Sequence, residues 1–311
     1  MQEIQIYTAG TIWFGAMPGQ AIHEREFNDH EKAVTGAVQH QLESYHYVKV
    51  DRKVNELHAL KRPIFLDSGA FSAHTLGVSL DIDEYCDYIK RNRDFIRVED
   101  GALMASVLDG IGDAQLTYDN QKYMESQGVK PLPCFHSNED ERYLDYYVAN
   151  YEYITLGGMV GGGTAQLMKW LDRIWDRHIL DGAGRPKTKV HGFGITSIPL
   201  MERYPWYSCD SSSWVQTASF GGIQMPDGSV VSTSDRSPSR HDMGQHYLTV
   251  TELERQALDR TIRAAGFEPQ RLVESAYPRI AFNLWAYREM ERRINEKKRA
   301  GYTEPLVQEL F

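Results

Sequence analysis

The sequence is short of the features that mark exported, membrane-bound and zinc-binding proteins. Its only cysteines among 311 residues are Cys86, Cys134 and Cys209, too scattered for a disulfide framework or a metal-binding spacing. It has no run of about 18 apolar residues that would cross a membrane. Its first residues, Met1-Gln-Glu-Ile4, form no basic and then apolar signal segment. We therefore expect a cytoplasmic protein that binds no metal, cofactor or membrane.

An excess of positive charge is also missing. The net charge of −9 argues against binding nucleic acid through bulk electrostatics, although a local basic patch is still compatible with it. The content of 41% hydrophobic and 25% charged residues fits a globular protein with a full core. The length suits a single barrel of eight strands and helices with extensions.

Short apolar segments that do not alternate with polar residues recur along the chain, and amphipathic segments separate them. This pattern predicts a parallel sheet covered by helices, and the count favours an α/β fold of the (β/α)8 TIM-barrel type. The predicted strands are Glu3–Tyr7, Pro63–Asp67, Leu103–Asp109, Lys130–Phe135, Tyr153–Leu156, Lys189–Phe193 and Tyr207–Asp210. The predicted helices are Glu31–Tyr45, Asp83–Asn92, Asp113–Gln127, Glu139–Ala149, Thr164–His178 and Ile198–Arg203.

The character of the chain changes after Asp210. Residues 219–232 predict a β-hairpin with Asp227-Gly228 as its turn, and a Ser/Arg-rich loop follows over 232–242. Helices are predicted over Leu248–Ala265 and Pro278–Arg299. We predict one domain over residues 1–311, with the barrel and hairpin in 1–247 and a C-terminal helical extension in 248–311.

Three predicted strands end in an aspartate, at Asp67, Asp109 and Asp210. Two others end in glycine, in Leu156-Gly-Gly158 and His191-Gly-Phe-Gly194. In a barrel these strand ends meet on one face, where glycine lets a flat ligand approach the backbone. An aspartate after a strand is also a common helix N-cap. Three at different strand ends, between glycine-rich loops, favour a site.

These segments resemble the tRNA-guanine transglycosylases. Asp67-Ser-Gly-Ala-Phe71 is similar to their Asp-Ser-Gly-Gly-Tyr/Phe motif, and Leu156-Gly-Gly-Met159 is similar to their Leu-Gly-Gly-Leu strand end. His191-Gly-Phe-Gly194 stands where they have Met-Gly-Val-Gly, and Cys209-Asp210-Ser-Ser-Ser stands where they have Phe-Asp-Cys-Val. The order and approximate spacing agree over residues 60–235.

The resemblance implies base exchange at a guanosine. Asp210 would attack C1′ of the sugar and displace guanine, giving a glycosyl–aspartate intermediate. Asp67 would be the general acid–base that protonates the leaving base and deprotonates the incoming one. Asp109 would accept hydrogen bonds from the N1–H and N2–H₂ edge of guanine. The other residues placed around the base are Gly157 and Gly158 as backbone donors to O6, Phe71 and His191 as stacking partners, and Ser68 and His136.

Two differences from this family bear on which polynucleotide the protein would act on. The tRNA enzymes carry a C-terminal zinc site with three cysteines, and no cysteine follows Cys209 here. Ser211-Ser-Ser-Trp214 replaces the family's Pro-Thr-Arg. The deazapurine DNA-modification branch, found in phages and bacterial genomic islands, is similar in this way. We therefore expect DNA as the partner and a preformed 7-deazaguanine as the incoming base, acting in a bacterial or phage-infected cell.

Other functions stay open at this point. The same exchange on tRNA is the first alternative, followed by a glycoside hydrolase that uses Asp67 and Asp210, and by a non-catalytic subunit that only binds nucleic acid. For phosphate contacts the candidates are Arg236 and Arg240 in the Ser/Arg-rich loop, with Lys187 and Lys189 before a predicted strand.

Overall fold

The computed structural model describes residues 2–159, 161–241, 244 and 246–301. The chain forms two compact units. The first comprises Met1–Gly10, His40–Ser211 and Arg293–Phe311, and the second comprises Thr11–Gln39 and Ser212–Arg292. Asp242, at the end of the predicted Ser/Arg-rich loop, and residues 302–311 of the predicted extension lie outside the described residues.

Short strands and longer helices make up the described part of the chain. The strands are β1 Gln5–Ala9, β2 Gln41–Ser44, β3 Phe65–Asp67, β4 Val98–Glu99, β5 Ala102–Leu103, β6 Cys134–His136, β7 Tyr153–Gly157, β8 Lys189–Gly192, β9 Ser208–Ser211, β10 Gly222–Gln224 and β11 Val230–Ser232. The helices are α1 Ala21–Glu26, α2 Asp29–Gly36, α3 Tyr45–Val48, α4 Asp51–Leu60, α5 Ala70–Thr75, α6 Ile82–Arg91, α7 Ala114–Ser126, α8 Glu141–Asn150, α9 Thr164–Ile174, α10 Ile198–Arg203, α11 Ser213–Ser219, α12 Glu252–Ala264, α13 Pro269–Glu274 and α14 Ala276–Arg299. A π-helical turn, Trp175–Ile179, extends α9, and Pro238–His241 is a 3₁₀ turn.

Seven strands of the first unit form a curled parallel sheet in the order β3-β2-β1-β9-β8-β7-β6. The predicted α/β class with a parallel sheet is therefore confirmed. The sheet encloses a core of large side chains: Tyr7, Leu42, Phe65, Met104, Leu132 and Tyr153. Because all seven strands run the same way, their carboxyl ends meet at one edge of the sheet.

The segment 104–107 lies between the two outer strands of this sheet. Leu66 of β3 bridges Ala105, and Ser106 bridges Leu132, which precedes β6. The Leu66 amide donates to Met104 O at 2.9 Å, and the Val107 amide donates to Leu132 O at 3.0 Å. The strand predicted over Leu103–Asp109 is thus an extended segment with bonds to both sides, while Ala102–Leu103 pairs antiparallel with β4.

The helix predicted over Glu31–Tyr45 is confirmed only as far as Gly36, and its continuation to Tyr45 is wrong. Helix α2 begins after Asn28, whose side chain accepts a hydrogen bond from the Glu31 amide in a capping box, and it ends at Gly36. The chain then enters β2, where Leu42 pairs with Ala9 of β1 and with Phe65 of β3. The sequence prediction therefore missed one strand of the parallel sheet, β2.

The second unit contains the predicted hairpin, the helix predicted over Leu248–Ala265 and the part of the helix predicted over Pro278–Arg299 that ends at Arg292. Strands β10 and β11 pair antiparallel, with Gly222 opposite Ser232, and Gly228 takes a left-handed conformation in the turn between them. The buried side chain of Asn283 on α14 accepts a hydrogen bond from the Gln224 amide and donates one to Trp214 O, each at 2.7 Å. None of the helices in the described ranges has the length and apolar character that spanning a membrane requires.

Candidate active site

Asp210 lies in β9, one residue before the strand ends, and is 7% exposed. Its Oδ1 accepts a hydrogen bond from the backbone N–H of Gly194 at 2.9 Å. The same oxygen lies 3.3 Å from Nε2 of His191. Both contacts involve Oδ1, and the second carboxylate oxygen, Oδ2, takes part in neither of them.

A buried chain of hydrogen bonds connects Asp210 through His191 to Ser208 and Tyr153. His191 Nδ1 lies 2.6 Å from Ser208 Oγ, and Ser208 Oγ lies 2.6 Å from the hydroxyl of Tyr153. In the tautomer that carries its proton on Nε2, His191 donates to the Asp210 carboxylate, and its Nδ1 accepts from the Ser208 hydroxyl. Ser208 then accepts from Tyr153. The chain therefore fixes the ring of His191 and, through it, Asp210.

The placement of His191 corrects its predicted role as a stacking partner of the base. The ring is 0% exposed and lies against Phe65 and Phe193, with both centroid distances at 4.7 Å. A fully buried ring that packs against two aromatic side chains is not exposed to a ligand. His191 is a positioning residue for Asp210.

Asp67 is the last residue of β3 and is partly buried. Its Oδ2 accepts a hydrogen bond from the Gly69 amide at 3.0 Å, and its Oδ1 accepts one from Ser106 Oγ at 3.3 Å. Burial of the carboxyl, followed by the negative charges of Asp109 and Asp210, raises the pKa of Asp67 to about 7. A carboxyl with this pKa both holds and releases a proton near neutral pH.

Helix capping accounts for neither Asp67 nor Asp109. The residue that caps α5 is Gly69, and no side-chain bond is made there. Helix α7 is capped by Asp113, whose Oδ1 accepts from the Leu116 amide at 3.0 Å. Both carboxylates therefore need another explanation for their place at the strand ends.

Asp109 lies deep in the same group of carboxylates. Its Oδ1 is buried and has no hydrogen-bond partner in the described part of the chain. Nε2 of His136 is 3.8 Å away. Burial raises the pKa of Asp109, and the neighbouring His136 and Cys134 offset part of this effect. Oδ1 of Asp109 therefore has no hydrogen bond within the described ranges, although the carboxyl also has a side-chain hydrogen bond with Cys134.

Cys134 and His136 stand beside Asp109, two residues apart on β6. Cys134 Sγ lies 3.5 Å from His136 Nε2, and His136 Nδ1 lies 3.1 Å from Glu139 Oε1. Burial alone would lower the pKa of His136, but Cys134, Glu139 and Asp109 raise it. Asp109, Cys134 and His136 offer three ligand atoms that lie within 4.8 Å of one another. The sequence prediction of no metal pattern did not anticipate this group.

Gly157 and Gly158 lie next to His136, at the carboxyl end of β7. A Cβ on Gly157 would lie 2.7 Å from Cδ2 of His136, so the close approach of β7 to β6 requires glycine. Gly158 has a φ of +71° and is exposed. Its carbonyl accepts from Ser137 Oγ at 2.7 Å. The two glycines lie at the predicted strand end, beside His136.

Phe71 and Ser68 differ in exposure. Phe71, in the first turn of α5, is 59% exposed, as a residue that stacks on a ligand must be. Ser68 is fully buried, and its Oγ accepts from the Ala70 amide at 3.3 Å while its own amide donates to Ser106 Oγ. Ser68 thus shapes the turn after Asp67, and this placement does not fit direct contact with a base.

The predicted phosphate contacts fall into two sets. Lys189 is the first residue of β8, so it lies at the amino edge of the sheet, away from the carboxylates at the other edge. It pairs with Asp100 and lies over the ring of Tyr207, and Lys187 Nζ donates to His178 O at 2.8 Å. The structure therefore does not place these two lysines beside the carboxylates. Arg236 and Arg240 are exposed and belong to the second unit.

No protein-family model and no curated protein matches this chain. The fold and the site define it as an α/β protein with aspartates clustered at the carboxyl edge of a parallel sheet. One of these carboxyls, Asp67, has a pKa near neutrality, and another, Asp210, is held by a buried hydrogen-bond chain.

Proposed function

We propose that the protein is a guanine transglycosylase that exchanges guanine in DNA for a preformed 7-deazaguanine. The observation that carries the proposal is the pairing of two unlike carboxyl groups. The pKa of Asp67 is about 7, whereas Asp210 is held at one oxygen by Gly194 and His191. Two carboxyl groups in different environments supply the acid and the nucleophile that a double displacement at a glycosidic carbon needs.

We also propose that the parallel sheet closes into an eight-stranded barrel. The segment 104–107 would be the eighth strand, because it bonds to β3 on one side and to the residues before β6 on the other. In such a barrel the three aspartates lie on the face where catalytic residues gather. The rigid strand ends would then set the spacing of the site.

In the first step Asp210 Oδ2 attacks C1′ of the target nucleoside. The C1′–N9 bond breaks, an ester bond forms between C1′ and Oδ2, and guanine leaves with the bonding electron pair. The proton of Asp67 passes to the departing base, so Asp67 ends as a carboxylate. The target base must leave the stack to reach the site.

In the second step the incoming deazaguanine gives its N9 proton to the Asp67 carboxylate. N9 attacks C1′, the ester bond to Asp210 breaks, and both carboxyl groups return to their starting states. Two inversions give overall retention at C1′, as in retaining glycosidases. No oxidant or energy source is needed, because one glycosidic bond replaces another.

Recognition of the base falls to Asp109 and the neighbouring glycines. The buried Oδ1 of Asp109, which has no hydrogen-bond partner among the described residues, suits the N–H donors of the guanine edge. The exposed backbone at Gly158 suits contact with O6, and the exposed ring of Phe71 suits stacking on the flat base. DNA is preferred over tRNA because Ser211-Ser-Ser-Trp214 stands where the tRNA enzymes have Pro-Thr-Arg.

The direct test incubates the protein with labelled guanine and either duplex DNA or tRNA. Label in DNA is the expected result, and it should be lost in Asp210→Asn. Asp113→Asn is the matched control, because Asp113 only caps α7 and asparagine caps equally well. Label in tRNA alone would overturn the choice of DNA. Label in neither would favour a glycoside hydrolase or a binding subunit.

A further inference from the structure

A second kind of ligand fits the group of Asp109, Cys134 and His136. These side chains contribute one oxygen, one sulfur and one nitrogen, and the three atoms lie within 4.8 Å of one another. Cys134 and His136 are two residues apart on one strand, so they face the same side. Thiolate, imidazole and carboxylate together are the donor set typical of zinc and its neighbours in the first transition row.

The spacing of the donors matches the edges of a tetrahedral site. Bonds of about 2.3 Å to sulfur and about 2.0 Å to nitrogen place those two ligands roughly 3.5 Å apart at a tetrahedral angle. Cys134 Sγ and His136 Nε2 are 3.5 Å apart. The 3.8 Å between His136 Nε2 and Asp109 Oδ1 needs only a small contraction.

His136 is oriented as a metal-bound histidine is. Its Nδ1 faces Glu139 Oε1 at 3.1 Å, and its backbone amide donates to Oε2 of the same carboxylate at 2.9 Å. A carboxylate on Nδ1 fixes the proton there and leaves Nε2 as the atom that can bind a metal once it is unprotonated. Nε2 lies 3.5 Å from Cys134 Sγ and 3.8 Å from Asp109 Oδ1.

Two further observations point to a ligand in that space. The side chain of Asp109 is only 9% exposed, and its Oδ1 has no hydrogen-bond partner in the described ranges. A buried carboxylate oxygen without a partner is costly unless a ligand satisfies it. Gly157 also keeps the space open, because a Cβ there would lie 3.0 Å from His136 Nε2 and 3.3 Å from Cys134 Sγ.

We propose that Asp109, Cys134 and His136 bind one divalent ion of the zinc class, with Glu139 as the orienting residue and the fourth position open to water. Binding needs Cys134 as a thiolate and Nε2 of His136 without a proton, so the protons on these two atoms are released to solvent. The proposal does not rest on the proposed function. Both use Oδ1 of Asp109, so a bound ion and a bound guanine edge exclude each other at that atom.

The test titrates metal-free protein with Zn²⁺ and, separately, with Co²⁺ in the absence of nucleic acid. We expect one tight ion per chain and, with Co²⁺, the intense visible bands of a tetrahedral site together with a thiolate-to-cobalt charge-transfer band. Cys134→Ser should abolish the charge-transfer band and weaken binding at least 100-fold. Glu139→Gln should weaken binding by about 10- to 100-fold, as loss of an orienting carboxylate does.

Cys86→Ser is the matched control, because Cys86 is equally buried but lies on α6, outside the group. It should keep the stoichiometry and the charge-transfer band. The proposal is overturned if the protein takes up no tight ion, or if Cys134→Ser binds Zn²⁺ and Co²⁺ as the unchanged protein does. Because metal uptake is read without DNA or base, its failure is independent of the outcome of the base-exchange assay.

Discussion

Asp210 is positioned by hydrogen bonds from groups that do not contact the substrate in the proposed reaction. Gly194 and His191 hold one oxygen, and Ser208 and Tyr153 hold His191. Holding a nucleophile in its reactive geometry lowers the barrier without any change in its chemistry. The serine and the tyrosine are therefore expected to influence the rate through position alone.

Ser208→Ala removes the middle of this chain. It leaves His191 Nδ1 and the Tyr153 hydroxyl buried without their partner, at a cost of about 1–3 kcal/mol for each such group. We expect kcat to fall about 10- to 100-fold while KM for DNA changes little, measured by steady-state base exchange. Tyr153→Phe keeps the bond between Ser208 and His191 and should have a smaller effect in the same direction.

Tyr207→Phe is the matched control for Tyr153→Phe. The Tyr207 ring packs against Tyr153 at 5.2 Å, but its hydroxyl donates to Glu99 at 2.6 Å and is outside the chain behind Asp210. It should keep kcat. An equal loss in Tyr153→Phe and Tyr207→Phe, or a change in KM alone for Ser208→Ala, would contradict the positioning role.

Asp67→Asn tests the raised pKa of Asp67 through stability. The folded state holds this proton up to about pH 7, whereas an unfolded aspartate loses it near pH 4. The unmodified protein therefore loses stability as pH rises from about 4 to about 7, and the loss is constant above that. Asparagine carries no such penalty, so the Tm difference in favour of Asp67→Asn should grow across this window and then level off.

The measurement is thermal unfolding of both proteins at several pH values between 4 and 9. The stabilisation at the upper plateau should be on the order of 2–4 kcal/mol, reduced by any loss of the bond that Ser106 donates. A Tm difference that does not change with pH would contradict the raised pKa. Base exchange should be lost in the same variant, because an amide cannot protonate the leaving base.

At the scale of elements, the turn between β3 and α5 depends on Gly69. Its φ is +74°, and a Cβ there would lie 2.2 Å from Ser44 Oγ and 2.6 Å from His46 Cβ. Gly69→Ala adds this clash to the strain of a left-handed residue, so we expect a loss of about 2–4 kcal/mol in the free energy of unfolding. Denaturant unfolding measures it.

Gly77→Ala is the control for the turn. Gly77 also has a positive φ, +66°, but a Cβ would meet nothing within 4 Å. It should cost only the backbone strain, about 1 kcal/mol. Equal losses in the two variants would show that the packing of Gly69 against β2 contributes nothing.

Most strands of the sheet could be predicted from the sequence because they are short, apolar and followed by turns. Strand β2 could not. Val34, Val38 and Leu42 keep a helical spacing across the real end of α2, so the pattern predicts one long helix. Two of the four residues of β2, Gln41 and Glu43, are polar and fully buried, and periodicity assigns such residues to the surface.

The position of aspartates at the ends of strands could be predicted from the sequence, as at Asp67 and Asp210. The role of a side chain could not be predicted where it depends on which residues pack around it. Whether a histidine stacks on a ligand or supports a carboxylate depends on what encloses it, and Phe65 and Phe193 enclose His191. Ser208, two residues before Asp210 on the same strand, carried a usable signal, as did the Cys-x-His spacing of β6.

At the scale of the whole molecule, a net charge of −9 means that any contact with DNA depends on a few well-placed cations. Arg236→Ala and Arg240→Ala should each weaken DNA binding and lower the slope of log K against log salt by about 1. Lys189→Ala, at the amino edge of the sheet, should leave both unchanged. Fluorescence anisotropy over a salt series measures all three.

An effect of Lys189→Ala equal to that of the two arginine variants would place the DNA against the amino edge of the sheet. That outcome would contradict catalysis at the carboxyl edge, where Asp67, Asp109 and Asp210 lie.

The most direct test of the central claim is to detect the covalent bond that Asp210 is proposed to form with DNA. The protein is mixed with a duplex without added free base, denatured, digested and analysed by mass spectrometry of the resulting peptides. We predict a deoxyribosyl ester on the peptide that contains Asp210, which is absent from Asp210→Asn and present in Asp113→Asn. An ester that persists in Asp210→Asn, or base exchange that continues in that variant, would contradict Asp210 as the nucleophile.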